Sequence, residues 1–171
     1  RAMKESTKLK RMFIVRYADD FKIFCRDYKT ASKIYHATKL WLKERLHLEI
    51  SEEKSKIVNL NTNYSEYLGF KMKLKSKGDK KVVKSHISDK ARKSIQRKIR
   101  SQIINIKKET TVENINKYNS TILGLHNYYK IATEVNEDFS NISYIINKSL
   151  YNRTRKIRSK TGVKTESYKK F

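Results

Sequence analysis

Residues 11–25, with the sequence RMFIVRYADDFKIFC, decide the fold of the first third of the chain. Two runs rich in β-branched and aromatic residues, Arg11–Tyr17 and Phe21–Cys25, are separated by only three residues, Ala18, Asp19 and Asp20. This spacing predicts a tight β-hairpin with two adjacent carboxylates at its tip. Because successive strand residues point to opposite faces, a turn is needed to bring either carboxylate into the open.

Hard oxygen ligands such as Asp19 and Asp20 suit Mg²⁺, which completes its coordination shell with water and substrate phosphates. Two such ions can activate an attacking hydroxyl and stabilise the leaving oxygen in phosphoryl transfer. An Asp-Asp pair in an ordinary loop is usually only a hydrophilic turn. Here both flanks are apolar strands and the surrounding chain is basic, which favours the metal site.

Hydrophobic periodicity predicts an α+β fold for the rest of the chain. An amphipathic helix is expected over Tyr28–His47, with Trp41 on its apolar stripe and so in the core. Four short strands are expected after it, near Leu48–Ile50, Lys56–Leu60, Tyr67–Leu74 and Lys81–Ile87. A turn at Lys77–Asp79 is expected to join the last two.

After Ser88 the apolar spacing is wholly helical. A helix capped by Ser88 or Asp89 should run to about Lys108, and Thr110 with Glu113 has capping-box spacing that opens a second. A third should begin at about Glu137. Three amphipathic helices joined by short loops are expected to bundle, since none can bury its apolar stripe alone.

Composition limits the classes of protein to consider. The 171 residues carry 41 Lys and Arg against 17 Asp and Glu, a net charge of +24 that must repel itself unless a polyanion neutralises it. A single cysteine, Cys25, excludes a disulfide scaffold and a multi-cysteine zinc site. No apolar run is long enough for a transmembrane helix. A chain that starts at Arg1 without a signal peptide is expected to be cytoplasmic and a piece of a longer protein.

The positive charge is concentrated between Lys71 and Arg100, where 13 of 30 residues are Lys or Arg. A solvated face normally mixes both signs, so this stretch is better explained by contacts to phosphates. Asn127 and Tyr128 lie off the apolar stripe of the second helix and are further candidates. The predicted nucleic-acid-binding residues are therefore Lys71, Lys73, Lys75, Arg92, Lys93, Arg97, Lys98, Arg100, Asn127 and Tyr128.

Four segments, in order, resemble reverse transcriptases. Tyr17-Ala18-Asp19-Asp20 resembles their YxDD signature, and residues 16–21 (RYADDF) resemble its group II intron and retron form. Residues 48–56 resemble the lysine-bearing segment that follows the palm helix, and residues 67–70 (YLGF) resemble the primer grip. Residues 118–129 resemble the thumb, or maturase, segment of group II intron-encoded proteins.

The resemblance implies a role for each matched residue. Asp19 would be a catalytic metal ligand and Asp20 its less direct partner, with Mg²⁺ as the cofactor. Lys54 would face the triphosphate, and Tyr17 would lie near the primer end and the incoming nucleotide. Tyr67, Leu68 and Gly69 would position the primer.

The same resemblance implies a partial polymerase palm, antiparallel hairpins with one amphipathic helix, followed by a three-helix thumb bundle. Residues 1–87 would be the C-terminal part of the palm with the primer-grip hairpin, and residues 88–171 the thumb (maturase) domain with a basic C-terminal tail. In this family the first catalytic aspartate and the fingers precede the YxDD hairpin, so the chain alone is expected not to polymerise. The implied partners are group II intron RNA, an RNA template with a DNA primer, dNTP, and the N-terminal fingers and palm half; no membrane is expected.

Two other interpretations stay open. In the first, the chain is a non-catalytic RNA-binding maturase module that acts as a splicing cofactor, and the aspartate pair is a remnant. In the second, it belongs to a retron or another bacterial reverse transcriptase. The thumb-like segment at residues 118–129 argues against this second interpretation.

Overall fold

The computed structural model describes residues 12–155; the predicted basic tail beyond them lies outside the described residues. The elements in chain order are β1 (Phe13–Tyr17), β2 (Asp20–Phe24), α1 (Tyr28–Leu46), β3 (Ser65–Tyr67), β4 (Phe70–Lys77), β5 (Lys80–Ile87), α2 (Asp89–Lys108), α3 (Val112–Tyr129) and α4 (Val135–Thr154). The predicted α+β class is confirmed. The chain divides into two compact units between Tyr67 and Leu68, while the predicted palm–thumb boundary at residue 87 stays a prediction.

The first unit opens with the predicted hairpin. Strands β1 and β2 pair antiparallel, with Phe13 opposite Phe24 and Tyr17 opposite Asp20. The turn is therefore only two residues, Ala18 and Asp19, and Asp20 already belongs to β2. Ala18 adopts the left-handed conformation with φ 50° that such a short hairpin turn requires.

Helix α1 follows the predicted bounds closely. The Asp27 carboxylate caps it by accepting from the amide of Thr30 at 2.8 Å, and His47 in the left-handed conformation ends it. The expectation that Trp41 lies in the core is wrong, because Trp41 is 54% exposed. Thr30 is the one buried residue of this helix. The apolar stripe of α1 is only partly covered, since Ala31, Ile34, Tyr35, Thr38 and Leu42 are half-buried while Trp41 and Leu46 are exposed.

Two predicted strands, near Leu48–Ile50 and Lys56–Leu60, are wrong. Both segments are irregular. In the turn between them the Ser51 carbonyl accepts from the amides of Lys54 and Ser55, and in a turn that begins within the second the Asn59 carbonyl accepts from Thr62 and Asn63. A strand is stabilised by a ladder partner, which alternating hydrophobicity alone does not provide.

The predicted single strand over Tyr67–Leu74 is interrupted at Leu68 and Gly69. Both residues have positive φ, 49° and 79°, so the chain turns there before β4 begins at Phe70. Strands β4 and β5 then form a regular antiparallel hairpin in which Phe70 pairs with Ile87 and Lys77 with Lys80. The predicted turn at Lys77–Asp79 is confirmed.

Helices α2, α3 and α4 form the core of the second unit, as the periodicity predicts. Ser88 caps α2 by accepting from the amide of Ala91. The capping-box prediction at Thr110 is wrong by one residue, since Thr111 is the N-cap and its hydroxyl accepts from Asn114. The buried cluster comprises Ile87, Ile95, Ile99, Ile103, Tyr129, Ile142 and Ile146.

The connection between α3 and α4 covers the outer edge of β5. The Thr133 hydroxyl accepts from the amide of Ser85 at 2.8 Å, and the Glu134 amide donates to the Ser85 carbonyl at 3.0 Å. The buried carboxylate of Asp138 accepts from the amide of Ile87 at 2.8 Å. These bonds satisfy backbone groups that an uncovered edge strand would leave without a protein partner.

Helices α1–α4 are long but rich in polar and charged residues. None of those in residues 12–155 combines the length and the apolar character that crossing a bilayer requires.

Candidate catalytic hairpin and nucleic-acid interface

The tip of the β1–β2 hairpin presents the aspartate pair to solvent. Tyr17, Ala18, Asp19 and Asp20 are all exposed, and Tyr17 is 65% accessible. The Arg16 guanidinium donates from Nε to the carbonyl of Ala18 at 2.8 Å, which supports the strained turn residue. Asp19 in the turn and Asp20 at the start of β2 therefore both lie at an accessible apex.

Tyr67 contacts the hairpin through its hydroxyl, which donates to the carbonyl oxygen of Asp20 at 3.3 Å. Two of the predicted site residues, far apart in sequence, thus meet in the first unit. The side chain of Lys54 is exposed in the turn after α1, and among the described residues no hydrogen bond or ion pair joins it to either aspartate. Its predicted catalytic role stays a prediction.

Lys22 lies near the aspartate pair but is not among the site residues predicted from the sequence. It lies two residues after Asp20, on the same strand face, and its Nζ donates to the Ser65 hydroxyl at 2.7 Å. Burial, with the nearby charge of Lys56, lowers the pKa of the Lys22 ammonium. A lysine in an otherwise apolar run (residues 21–24) was the sequence signal that could have drawn attention to it.

The turn at Leu68 and Gly69 is held from two sides. The Tyr128 hydroxyl donates to the Leu68 carbonyl at 2.9 Å, while its ring stacks on Phe70 with centroids 5.6 Å apart. The Gly69 carbonyl accepts from the Ser88 amide at 2.8 Å. Tyr128 was predicted to contact RNA; its hydroxyl has an intramolecular partner, and RNA contact stays a prediction.

The β4–β5 register gathers lysines on one face of the hairpin. Residues opposite each other in an antiparallel pair share a face, and Lys73 lies opposite Lys84 and Lys77 opposite Lys80. The other face carries Phe70, Met72, Leu74, Val83 and Ile87. We call the first the lysine face; its lysines are Lys71, Lys73, Lys75, Lys77, Lys80 and Lys84.

Like charges directly opposite one another destabilise a sheet, so the lysine face is costly without an anion beside it. Carboxylates of the same unit balance part of this charge. Lys84 pairs with Glu134, and Lys71 donates to both oxygens of Asp89, at 2.9 and 3.0 Å. These cations lower the pKa of each carboxyl below its usual range.

On α2 the predicted binding residues separate into two groups. Arg92 donates to Asp89 at 2.6 Å, so its guanidinium has an internal partner. Lys93, Arg97 and Arg100 are exposed at i, i+4 and i+7, which places them on one face of the helix. Lys98 is also exposed, at the side of that face. Asn127 is also exposed, near the end of α3.

Comparison with known proteins gives matches to reverse transcriptases. A family model described as "Reverse transcriptase (RNA-dependent DNA polymerase)" matches residues 1–72. The chain is 30% identical to the group II intron-encoded protein LtrA of Lactococcus lactis subsp. cremoris, and equally to that of strain MG1363, in a match covering 72% of this chain. These matches support a fragment of a group II intron reverse transcriptase. It spans 25% of the length of the curated relatives it matches.

The family-model match includes the aspartate hairpin. Residues 1–72 contain both the Asp19–Asp20 apex and the Leu68–Gly69 turn, so the two features lie within the stretch that the reverse transcriptase family model matches. Among residues 12–155 no group of three or more His, Cys, Asp or Glu side chains is arranged to hold a metal ion. The aspartate pair is thus at most a partial ligand set within the described part of the chain.

Proposed function

We propose that this chain contributes the aspartate hairpin, the primer-grip turn and the thumb-like helices of an RNA-directed DNA polymerase that also binds its group II intron RNA to assist splicing and mobility. The observation that carries the proposal is the exposed, two-residue turn that displays Asp19 and Asp20 between paired apolar strands. The family match supports it.

The donor set fits Mg²⁺ in part. Asp19 and Asp20 offer hard carboxylate oxygens, and a magnesium ion there would draw its remaining ligands from water, from substrate phosphates and from another polypeptide segment. When bound, the ion supplies charge stabilisation for phosphoryl transfer. The residues of this chain hold the carboxylates at the apex through the Ala18 turn, and Tyr67 ties the backbone of Asp20 to the segment that leads into the primer-grip turn.

Exposed apolar surface in the first unit supports a requirement for the N-terminal fingers and palm half. Phe13, Ile14 and Val15 of β1 are 52%, 44% and 48% exposed, and Leu40 and Trp41 of α1 are 56% and 54% exposed. Large apolar side chains on both a strand and a helix normally mark a surface that another element covers. The chain alone is accordingly inactive in primer extension, and supplying that half restores dNTP incorporation.

We assign the lysine face and the exposed cations of α2 to the phosphates of a template–primer duplex. Side chains on alternate strand residues repeat every 6–7 Å or so, a spacing suited to successive phosphates along one strand. An A-form duplex offers phosphates and 2′-hydroxyls across its shallow minor groove, so recognition there is by shape.

The decisive experiment measures duplex affinity against salt. Replacing Lys73, Lys75, Lys77 and Lys80 with Gln should reduce the slope of log K against log salt by about 0.7–0.9 for each phosphate that the variant no longer neutralises. The matched control replaces four exposed lysines elsewhere: Lys33, Lys43, Lys117 and Lys130. Equal slopes in the two variants would contradict the assignment of the lysine face.

A second function, a non-catalytic RNA-binding module, is favoured by one observation, the single-signed lysine face. It is separated from the first by Asp19→Asn in the complemented enzyme. Loss of primer extension with retained RNA binding and splicing supports the polymerase. Absence of primer extension by the complemented unsubstituted enzyme, with RNA binding and splicing equal in both proteins, leaves the binding module as the function.

A further inference from the structure

Helix α4 carries a row of exposed aromatic and basic side chains that belongs to neither the aspartate hairpin nor the lysine face. Tyr144 and Tyr151 are 72% and 58% exposed. They are seven residues apart, which places them on the same side of the helix about 10 Å from each other along its axis. Lys148 and Arg155, at i+4 and i+11 from Tyr144, are exposed and share that side.

The opposite side of α4 packs into the core. Ile142 and Ile146 are 5% and 4% exposed and belong to the core cluster, with Phe139 and Leu150 packed against it. Tyr144 and Tyr151 lie outside this cluster, and each has more than half of its surface exposed. Two largely exposed rings at heptad spacing offer ring surface that a ligand can reach.

The composition of the exposed side indicates the chemistry of what it binds. From Phe139 to Arg155 there is no acidic residue, and the exposed positions are Ser140, Asn141, Ser143, Tyr144, Asn147, Lys148, Tyr151, Asn152, Arg153 and Arg155. Glu137, two turns before Tyr144 in the first turn of the helix, is the nearest carboxylate along that side. Aliphatic residues, which the buried centre of a protein interface favours, are absent from this set.

We propose that the α4 tyrosine row binds unpaired nucleotides of RNA, with bases stacked on Tyr144 and Tyr151 and phosphates contacted by Lys148 and Arg155. Tyrosine rings stack on bases irrespective of sequence, cations beside them neutralise the backbone, and asparagine amides can bond base edges and 2′-hydroxyls. The ligand class is single-stranded RNA, in contrast to the duplex assigned to the lysine face. The choice of RNA rests on the proposed function.

The test compares ring removal with ring retention in the full chain. Tyr144→Leu with Tyr151→Leu should weaken binding of an unstructured RNA oligonucleotide at least about tenfold, since each stacked base depends on its aromatic partner. Tyr144→Phe with Tyr151→Phe, which keeps both rings, should bind within about twofold of the unsubstituted chain. Tyr28→Leu on α1, which removes a ring that is 73% exposed, is the matched control and should change nothing.

Three results overturn the proposal: equal affinity of the leucine variant and the unsubstituted chain, equal loss in the phenylalanine and leucine variants, or sedimentation of the unsubstituted chain as a dimer that the leucine variant dissociates. The last assigns the tyrosine row to self-association.

A fully base-paired duplex serves as the second ligand. Its binding should be unchanged in the leucine variant, and failure of the unsubstituted chain to bind that duplex counts against the proposed function instead of the tyrosine row. Unchanged circular dichroism confirms that each variant is folded.

Discussion

The hydroxyl of Tyr67 lies 3.3 Å from the carbonyl oxygen of Asp20 and donates a hydrogen bond to it. Forty-seven residues separate the two in the chain, yet the contact joins the strand that follows the aspartate turn to the segment just before Leu68 and Gly69. A second link, from Lys22 Nζ to the Ser65 hydroxyl, lies beside it. The aspartate hairpin is therefore anchored by side chains as well as by its own ladder.

Removing only the Tyr67 hydroxyl should loosen the hairpin. Tyr67→Phe keeps the ring and removes a bond whose net contribution is about 0.5–1 kcal/mol. Amide hydrogen exchange of β1 and β2 should become about two- to fivefold faster, as that free energy implies. Tyr28→Phe on α1 is the control, and equal exchange rates in both variants would show that the Tyr67 bond does not restrain the hairpin.

Gly69 is expected to tolerate no side chain. A Cβ there would lie 2.9 Å from the Tyr129 hydroxyl oxygen, in a backbone with φ 79°. Gly78 has a comparable φ of 58° but no atom within 4 Å of its Cβ position. Gly78→Ala should therefore cost about 1 kcal/mol of backbone strain and Gly69→Ala about 1–3 kcal/mol more.

Urea unfolding measures both glycine variants. Combining Gly69→Ala with Tyr129→Phe removes the clashing oxygen and should recover part of the additional loss, leaving the backbone strain. An equal cost at Gly69 and Gly78 would mean that the Tyr129 contact does not constrain the turn.

Asp138 should be among the carboxylates most important for stability of the second unit. It is 3% exposed and accepts from the fully buried Ile87 amide at 2.8 Å, with His86 Nδ1 3.4 Å from the same oxygen. Asp138→Ala leaves that amide without a partner and should cost about 1–3 kcal/mol in unfolding free energy. Asp138→Asn keeps an acceptor oxygen and should cost less.

Glu137 provides the comparison for Asp138, because it is an exposed acidic neighbour on the same helix. Glu137→Ala removes only a favourable helix-dipole interaction and should cost under about 1 kcal/mol. If Asp138→Ala cost no more than Glu137→Ala in urea unfolding, the buried carboxylate would not be supporting the edge of β5.

Two carboxyl groups should make the second unit acid-sensitive. Hydrogen bonding from Lys71 lowers the pKa of Asp89, and hydrogen bonding from Lys84 lowers the pKa of Glu134. Since the folded-state pKa of each lies below its unfolded value, the stabilisation is complete above the unfolded pKa, near pH 4–4.5 or so, and is lost as pH falls through the folded one. Solvent screening keeps each contribution small, because both ion pairs are partly exposed.

Thermal melts between pH 7 and pH 2 test this dependence. Asp89→Asn with Glu134→Gln should flatten the acid limb of the stability curve and lower stability at pH 7. Asp79→Asn, a charge removal at the exposed tip of the β4–β5 hairpin, should leave the curve unchanged. An acid limb as steep in the double variant as in the unsubstituted chain would locate the sensitivity elsewhere.

Local patterns predicted most of the elements and the motif that resembles reverse transcriptases. The hairpin around Ala18–Asp20, the Ser88 cap and the apolar spacing of α2 each depend on residues a few positions apart. Periodicity reports that local geometry directly. The same reasoning overestimated strands where no ladder partner exists among the described residues, at Leu48–Ile50 and Lys56–Leu60, and placed Trp41 in a core although it is exposed.

The amino-acid sequence alone therefore established the hairpin turn, the amphipathic helices, the excess of positive charge and the YADD signature, because each depends on composition or on residues close together in the chain. Tertiary structure alone decided which polar groups meet: Tyr67 with Asp20, Tyr128 with Leu68, and Asp138 with Ile87, separated by 47, 60 and 51 positions. It also decided that Arg92 and Lys71 share Asp89 while Tyr144 and Tyr151 stay largely exposed. Such pairings follow from packing of whole elements against one another, and no local period encodes that packing.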